Sequence, residues 1–250
     1  MTKVPPPPPK VFITRDTQHR LISDIKDIVR NPLTDQGIFY AHDEEDMLKG
    51  YSLIIGPPDS LYADGNYLFS WKFPYNYPYA PPELKFLTND GVTRFHPNLY
   101  RNGKVCLSIL NTWKGEQWTS CQTIRSVLLT LLTLFHNEPL LNEPGFTKTH
   151  RDFIPYNKII KFQNYKCAIL GIVNQSHLPP IFIPFFSFIK NHFLNEYENI
   201  KQRLEKEITK EKQTSLKELT TTYVGVYNLK VFINYEKLLP RITEIYNKLK

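Results

Sequence analysis

Cysteine is scarce in this 250-residue chain: Cys106, Cys121 and Cys167 are all it has. The set is odd in number and holds no C-x-x-C pair. That argues against a disulfide framework or a zinc site and for a reducing compartment, cytoplasm or nucleus. The seven histidines stand without ligand spacing beside these cysteines, so no metal is expected. Long apolar runs are missing too. VLLTLLTLF (127–135) and IFIPFFSFI (181–189) fall well short of the roughly 20 residues a membrane-spanning helix needs. MTKVPPPPPK at the start has no apolar signal region. A soluble protein without a membrane partner is expected, and no internal repeat is visible.

Charge is uneven. Residues 1–150 carry 15 basic and 15 acidic residues, whereas residues 151–250 carry 16 and 9, so the whole excess of +7 sits in the last hundred. Lys and Glu alternate through KQRLEKEITKEKQ without interleaved aromatics. Such a run reads as a solvated helix face rather than a nucleic-acid platform, and no nucleic-acid partner is expected. A chain of this length buries a sizeable core without metal or disulfide staples.

Pro5–Pro9 form a short extended arm, because proline fixes φ and has no N–H to donate. In TRDTQHRLISDIKDIVRNP, Leu21, Ile25 and Ile28 share a stripe with Ile22 and Val29 beside them, which predicts an amphipathic helix ending before Pro32. Its other face carries Arg15, Arg20 and Lys26, to bind a partner or to be solvated. From about 50 to 88 the period falls to two, with turns at GPPDS and ADGN and a rigid proline-rich connection, YNYPYAPP. The picture is an antiparallel meander. SCQTIRSVLLTLLTLF predicts an apolar core helix with Ser120 as N-cap. RDFIPYNKIIKFQNYKCAILGIV predicts another, with Cys167 in its core face. After a proline-broken aromatic linker, PPIFIPFF, the stripe Ile189, Phe193, Tyr197, Ile200, Leu204, Ile208 and a second stripe, Leu238, Ile242, Ile245, Leu249, predict a helical extension. TTTYVGVYNLKVFI between them is ambiguous.

The segment HPNLYRNGKVCLSIL (96–110) poses the chemical question. Free cysteine is usually buried and inert. Here VCLSI follows a Gly103 turn and precedes a long polar loop, NTWKGEQW, which predicts a short element near the surface. Asn98, eight residues before Cys106, carries an amide able to donate to an oxyanion. Glu143 lies in a loop that could return to the same place and receive or orient an amine. These residues alone leave packing and catalysis balanced.

The order of the elements carries more. A leading helix, a meander with GPPDSLYADG, the run FPYNYPYAPPELKF, then HPN-x7-C, a Trp and a core helix closely resemble the ubiquitin-conjugating (E2) enzymes over about residues 12–170. The resemblance implies an α+β ubiquitin-conjugating fold: N-terminal helix, four-stranded antiparallel meander, central core helix and mainly helical C-terminal extension. It divides the chain into a proline-rich arm (1–10), a catalytic core (11–174) and an extension (175–250). It implies that Cys106 carries ubiquitin or a ubiquitin-like modifier as a thioester and that Asn98 stabilises the oxyanion or orders the loop. His96, Pro97 and Trp118 are then structural, and Glu143 with Asn142 gates the lysine approach. Phe73, Ser120 and Cys121 stand at the ligase contact, and Arg15, Arg20 and Lys26 at the contact with the activating (E1) enzyme. The implied partners are the modifier, E1, a ligase (E3) and protein substrates. No cofactor is implied, ATP being used by E1.

Departures narrow the resemblance. The interval from Cys106 to Trp118 is longer than in the commonest members, and W-T-S-C stands where W-S-P-A is frequent. CLSIL-x-TW-x-G-x-x-W and HNEP-x-x-NEPGF resemble the large members, among them the inhibitor-of-apoptosis-linked ones, and most of all those with a C-terminal extension that accept ubiquitin and a tandem ubiquitin-like modifier. A catalytically inactive scaffold of the same fold is the alternative, but those variants lack the cysteine. A cysteine protease would need His96 and Asn98 in a triad, and the turn order is wrong for one.

Overall fold

The computed structural model describes residues 12–214 and 221–250; the proline-rich arm expected over 1–10 lies outside them. Helix α1 spans Arg15–Arg30 and is capped by Thr14, whose hydroxyl accepts from Thr17 N at 3.1 Å. Leu21 and Ile28 are buried, as the stripe predicts. Ile22 and Val29, expected beside them, are exposed, because the buried face is narrower than the apolar pattern and Asp24 occupies part of it. Strands β1 (Ile38–His42), β2 (Lys49–Ile55), β3 (Asn66–Lys72) and β4 (Glu83–Phe86) form an antiparallel meander in that order. Their register pairs Phe39 with Leu53, Leu53 with Leu68 and Phe69 with Phe86.

Helix α2 spans Ile124–Leu132, shorter than the apolar run. Its cap is Thr123, in a capping box with Ser126, not Ser120. The reason lies upstream: residues 119–122 make a turn, Gln122 N to Thr119 O at 3.0 Å, whose Ser120 and Gln122 carbonyls accept from Arg20. After Leu132 the bonds tighten to i→i+3, which turns Phe135 onto Tyr67 of β3 at a ring distance of 4.3 Å. Helix α3, Phe153–Gln163, continues with π-type bonding through Gly171 and buries Cys167.

The extension is part of the same core. Its entry segment, expected as a linker, is a 3-10 turn over Pro180–Phe185 that buries Phe182 and Phe185. Phe182 packs on Tyr51 and Phe188 on Phe39, two residues that the register places on one sheet face. Helix α4 (Phe186–Thr214) lays Ile189, Phe193, Tyr197, Ile200 and Leu204 inward. Asp64, in the turn between β2 and β3, accepts from Arg203 and from His192 Nε2 (3.0 Å), which fixes α4 to the sheet. Helix α5 (Leu238–Leu249) returns along α4, where Tyr246 stacks on Tyr197 at 3.7 Å. The ambiguous stretch is a hairpin, β5 (Thr221–Val224) and β6 (Leu229–Phe232), with Val224, Leu229 and Val231 buried. Among the described residues no helix is long and apolar enough to cross a membrane.

Candidate active site

Residues 96–106 form a closed loop that brings Asn98 and Cys106 together. Leu99 N donates to His96 O at 2.9 Å, and Asn98 N donates to His96 Nδ1 at 3.0 Å. The chain returns at Gly103, where φ is +88° and a Cβ would lie 2.9 Å from Phe86 O, so only glycine fits. Cys106 N then donates to Asn98 O at 2.9 Å, and Asn98 Nδ2 donates to Cys106 O at 2.6 Å. The eight-residue interval is the spacing of this two-way pair.

The expectation of a near-surface cysteine is corrected: Cys106 is 1% exposed. Thr112, which the sequence reading passed over, brackets it. The Thr112 hydroxyl accepts from Leu107 N at 2.8 Å and lies 3.0 Å from Val105 O, holding the residues on either side of the cysteine. Thr112→Val keeps the side-chain shape and leaves those backbone groups unpaired, at a cost of about 1–3 kcal/mol. Alkylation of Cys106 is expected to speed up about tenfold through easier local opening. Exposed Cys121 should react first in both proteins. Peptide-resolved iodoacetamide labelling measures this, and an unchanged Cys106 rate would show that Thr112 does not hold the loop. Cys167 is held unreactive, because burial pushes its thiol up to about 12.

The 139–143 turn meets this pair from the other side. Asn142 Nδ2 lies 3.5 Å from Asn98 Oδ1, and His136 Nε2 lies 3.3 Å from Asn142 Oδ1. Glu143, half-buried, accepts from the Tyr227 hydroxyl at 2.5 Å. Cys106, Asn98 and Asn142 are thus linked in a chain of contacts, and Glu143 follows Asn142 with its carboxylate turned to Tyr227. Tyr227, from the hairpin of the extension, was not foreseen.

His96 is structural in a definite sense. Burial, with His136 and Arg94 nearby, drives its imidazole well below the usual range, so it is neutral and offers Nδ1 to Asn98 N. The unfolded chain takes up this proton below about pH 6.5 and the folded chain does not. The folded state therefore has full stability above that pH and loses stability as pH falls below it. Urea midpoints should drop from pH 7.5 to 5. His96→Asn, which retains an acceptor, should flatten that slope; an unchanged slope would place the effect on His42, which burial also lowers.

Trp118 is buried and donates Nε1 to Pro78 O at 2.6 Å, tying the loop after Cys106 to the proline-rich connection. Two expected contacts are corrected. Phe73 is 1% exposed, its ring set against Tyr77 at 5.2 Å and His42 at 5.8 Å, so it plugs the core beneath the 74–80 loop. The exposed aromatics there are Tyr75 and Tyr79. Arg20 is committed internally, donating to Asp24 Oδ1 (2.9 Å), Ser120 O (2.6 Å) and Gln122 O (2.5 Å). Arg15, Lys26, Ser120 and Cys121 are exposed. Pro97 is buried, and its carbonyl accepts from Arg94.

A cysteine whose backbone carbonyl accepts from a side-chain amide, with a carboxylate on the adjoining loop, has the kinds of group that acyl transfer uses: a nucleophile, an amide donor and a partner for an incoming amine. Comparison with known proteins bears on the same reading. The family model "Ubiquitin-conjugating enzyme" matches residues 20–161. Ubiquitin-conjugating enzyme E2 Z of Danio rerio is 38% identical over 182 residues, covering 72% of this chain and 54% of that protein. Its Homo sapiens counterpart is 38% identical over 182 residues, 72% of this chain and 50% of that protein. The human dual E2 ubiquitin-conjugating enzyme/E3 ubiquitin-protein ligase BIRC6 is 43% identical over 120 residues, 45% of this chain and 2% of that protein. The chain spans about half the length of the E2 Z relatives it matches. One family model covers more than half of the chain, from within α1 to within α3, and the chain belongs to the ubiquitin-conjugating enzyme family.

Proposed function

We propose that this chain takes ubiquitin or a ubiquitin-like modifier from E1 onto Cys106 and passes it to a lysine amine or a ligase cysteine. The observation that carries the reading is the reciprocal pair of Asn98 and Cys106, which fixes the cysteine backbone against a donor amide. In the first step local opening bares Cys106, 1% exposed at rest, its thiolate attacks the thioester carbonyl on E1, and the E1 thiolate leaves. In the second a neutral amine attacks the Cys106 thioester. The N–C bond forms, the C–S bond breaks with its electron pair going to Sγ, and the amine proton goes to solvent. The modifier reaches Cys106 already activated as a thioester, which suits a site that contributes mainly positioning. The chemistry calls on no metal or nucleotide bound to this chain, and the free cysteines fit the cytoplasm or nucleus.

The inactive-scaffold alternative is not favoured, since the cysteine stands in an intact HPN-x7-C loop. The relatives named E2 Z support an extended member of the family, and a tandem ubiquitin-like modifier is proposed as a second cargo beside ubiquitin. Charging with a panel of E1 enzymes, each with ATP and ubiquitin or a tandem modifier, tests this. A thiol-sensitive adduct with both modifiers is expected. An adduct with ubiquitin alone would contradict the second cargo, and no adduct at all would contradict the function.

A further inference from the structure

The turn joining β5 to β6 meets the catalytic core through several independent contacts. Tyr227 donates its hydroxyl to Glu143 Oε2 at 2.5 Å. Arg101 donates to Tyr227 O at 2.6 Å, Val226 N donates to Asp152 Oδ2 at 2.9 Å, and the Arg94 guanidinium lies over the Tyr227 ring at 4.6 Å. The Tyr156 ring of α3 lies 5.6 Å away. The turn is thus fixed at both backbone and ring, and its phenol is a rigid donor aimed at one carboxylate. That carboxylate ends the turn whose Asn142 reaches Asn98, the partner of Cys106. A lysine side chain arrives at neutral pH as an ammonium and loses a proton before its neutral amine attacks the Cys106 thioester, and a carboxylate on the adjoining turn is the group to receive that cation.

We propose that Tyr227, carried by the C-terminal extension, is a positioning residue for amine transfer: its phenol holds Glu143 where an incoming lysine ammonium group is received beside Cys106. The inference rests on the acyl-transfer function proposed above and adds that the extension acts on discharge of the thioester more than on its formation. A carboxylate without this donor would be free to turn toward solvent, and the cation it is to meet would find it misplaced. Tyr227→Phe removes the hydroxyl alone and keeps the ring on Arg94 and Tyr156.

The test uses the full chain, loaded with ubiquitin by E1 and ATP, then freed of ATP and given either lysine or hydroxylamine near neutral pH. Hydroxylamine is neutral there and does not need a carboxylate to receive a cation. Tyr227→Phe should slow discharge to lysine about fivefold relative to charging, with discharge to hydroxylamine changed less than about twofold. Combined with Glu143→Gln it should add no further loss, since the two act as one unit. Equal slowing with both nucleophiles, no slowing with lysine, or multiplied losses in the double variant would each overturn the proposal. If the unsubstituted chain formed no thioester, the underlying function would fall first and the positioning role with it.

Discussion

Asn98→Ala is expected to slow transfer of the modifier from Cys106 to lysine about a hundredfold, the size of effect seen when one oxyanion donor is removed. Thioester formation should be affected far less. In the resting structure the Asn98 amide is engaged, donating to Cys106 O at 2.6 Å, with Oδ1 near Asn142. Loop ordering is thus its visible role, and an oxyanion role needs the amide to turn from that carbonyl toward the thioester. The two roles separate kinetically. Single-turnover charging and lysine discharge, compared on the same preparation, should show loss concentrated in discharge. Equal loss in both steps would leave Asn98 a purely structural residue. The substitution also removes a donor from a buried carbonyl, so a stability loss of about 1–3 kcal/mol is expected alongside.

Phe182→Ala should destabilise the protein by about 3–5 kcal/mol, as large truncations in a well-packed core do. Phe182 is fully buried and lies between the extension and the sheet, against Tyr51 and Phe185. Because Asp64 also anchors α4 through Arg203 and His192, extension and core share one packing unit. Denaturant unfolding followed by fluorescence and circular dichroism should give one coincident transition that moves to lower denaturant. A transition split in two, with the earlier phase confined to helical signal, would show that the extension unfolds on its own. Point substitution is also the cleaner probe of partner choice, since deleting the extension would strip cover from Tyr51, Phe39 and α3.

The parts of the fold legible in the sequence are those with a local period. The stripe of α1 and those of α4 and α5 fall on buried faces because i, i+3 and i+4 positions share a side of a helix regardless of what covers them. The Asn98–Cys106 pair was legible as a spacing because the Gly103 turn closes it locally. Long-range commitments were not. Arg20 reads as a surface cation in α1, yet carbonyls about a hundred residues away engage it. The Thr112 hydroxyl folds back onto Leu107 N and Val105 O on either side of buried Cys106, and nothing in NTWKGEQW sets the direction of that loop. The hairpin had a usable signal, β-branched and aromatic runs around Gly225 and a left-handed Asn228, but its docking beside Glu143 comes from tertiary contacts alone.

The most direct test of the central claim is the chemical nature of the bond at residue 106. With E1, ATP and ubiquitin, the unsubstituted chain should form an adduct cleaved by thiol. Cys106→Ser should convert it to a thiol-resistant ester mapped by mass spectrometry to residue 106. Cys121→Ser and Cys167→Ser should leave the thiol-sensitive adduct in place. An adduct that persists unaltered in Cys106→Ser, or that disappears in Cys121→Ser, would contradict Cys106 as the carrier.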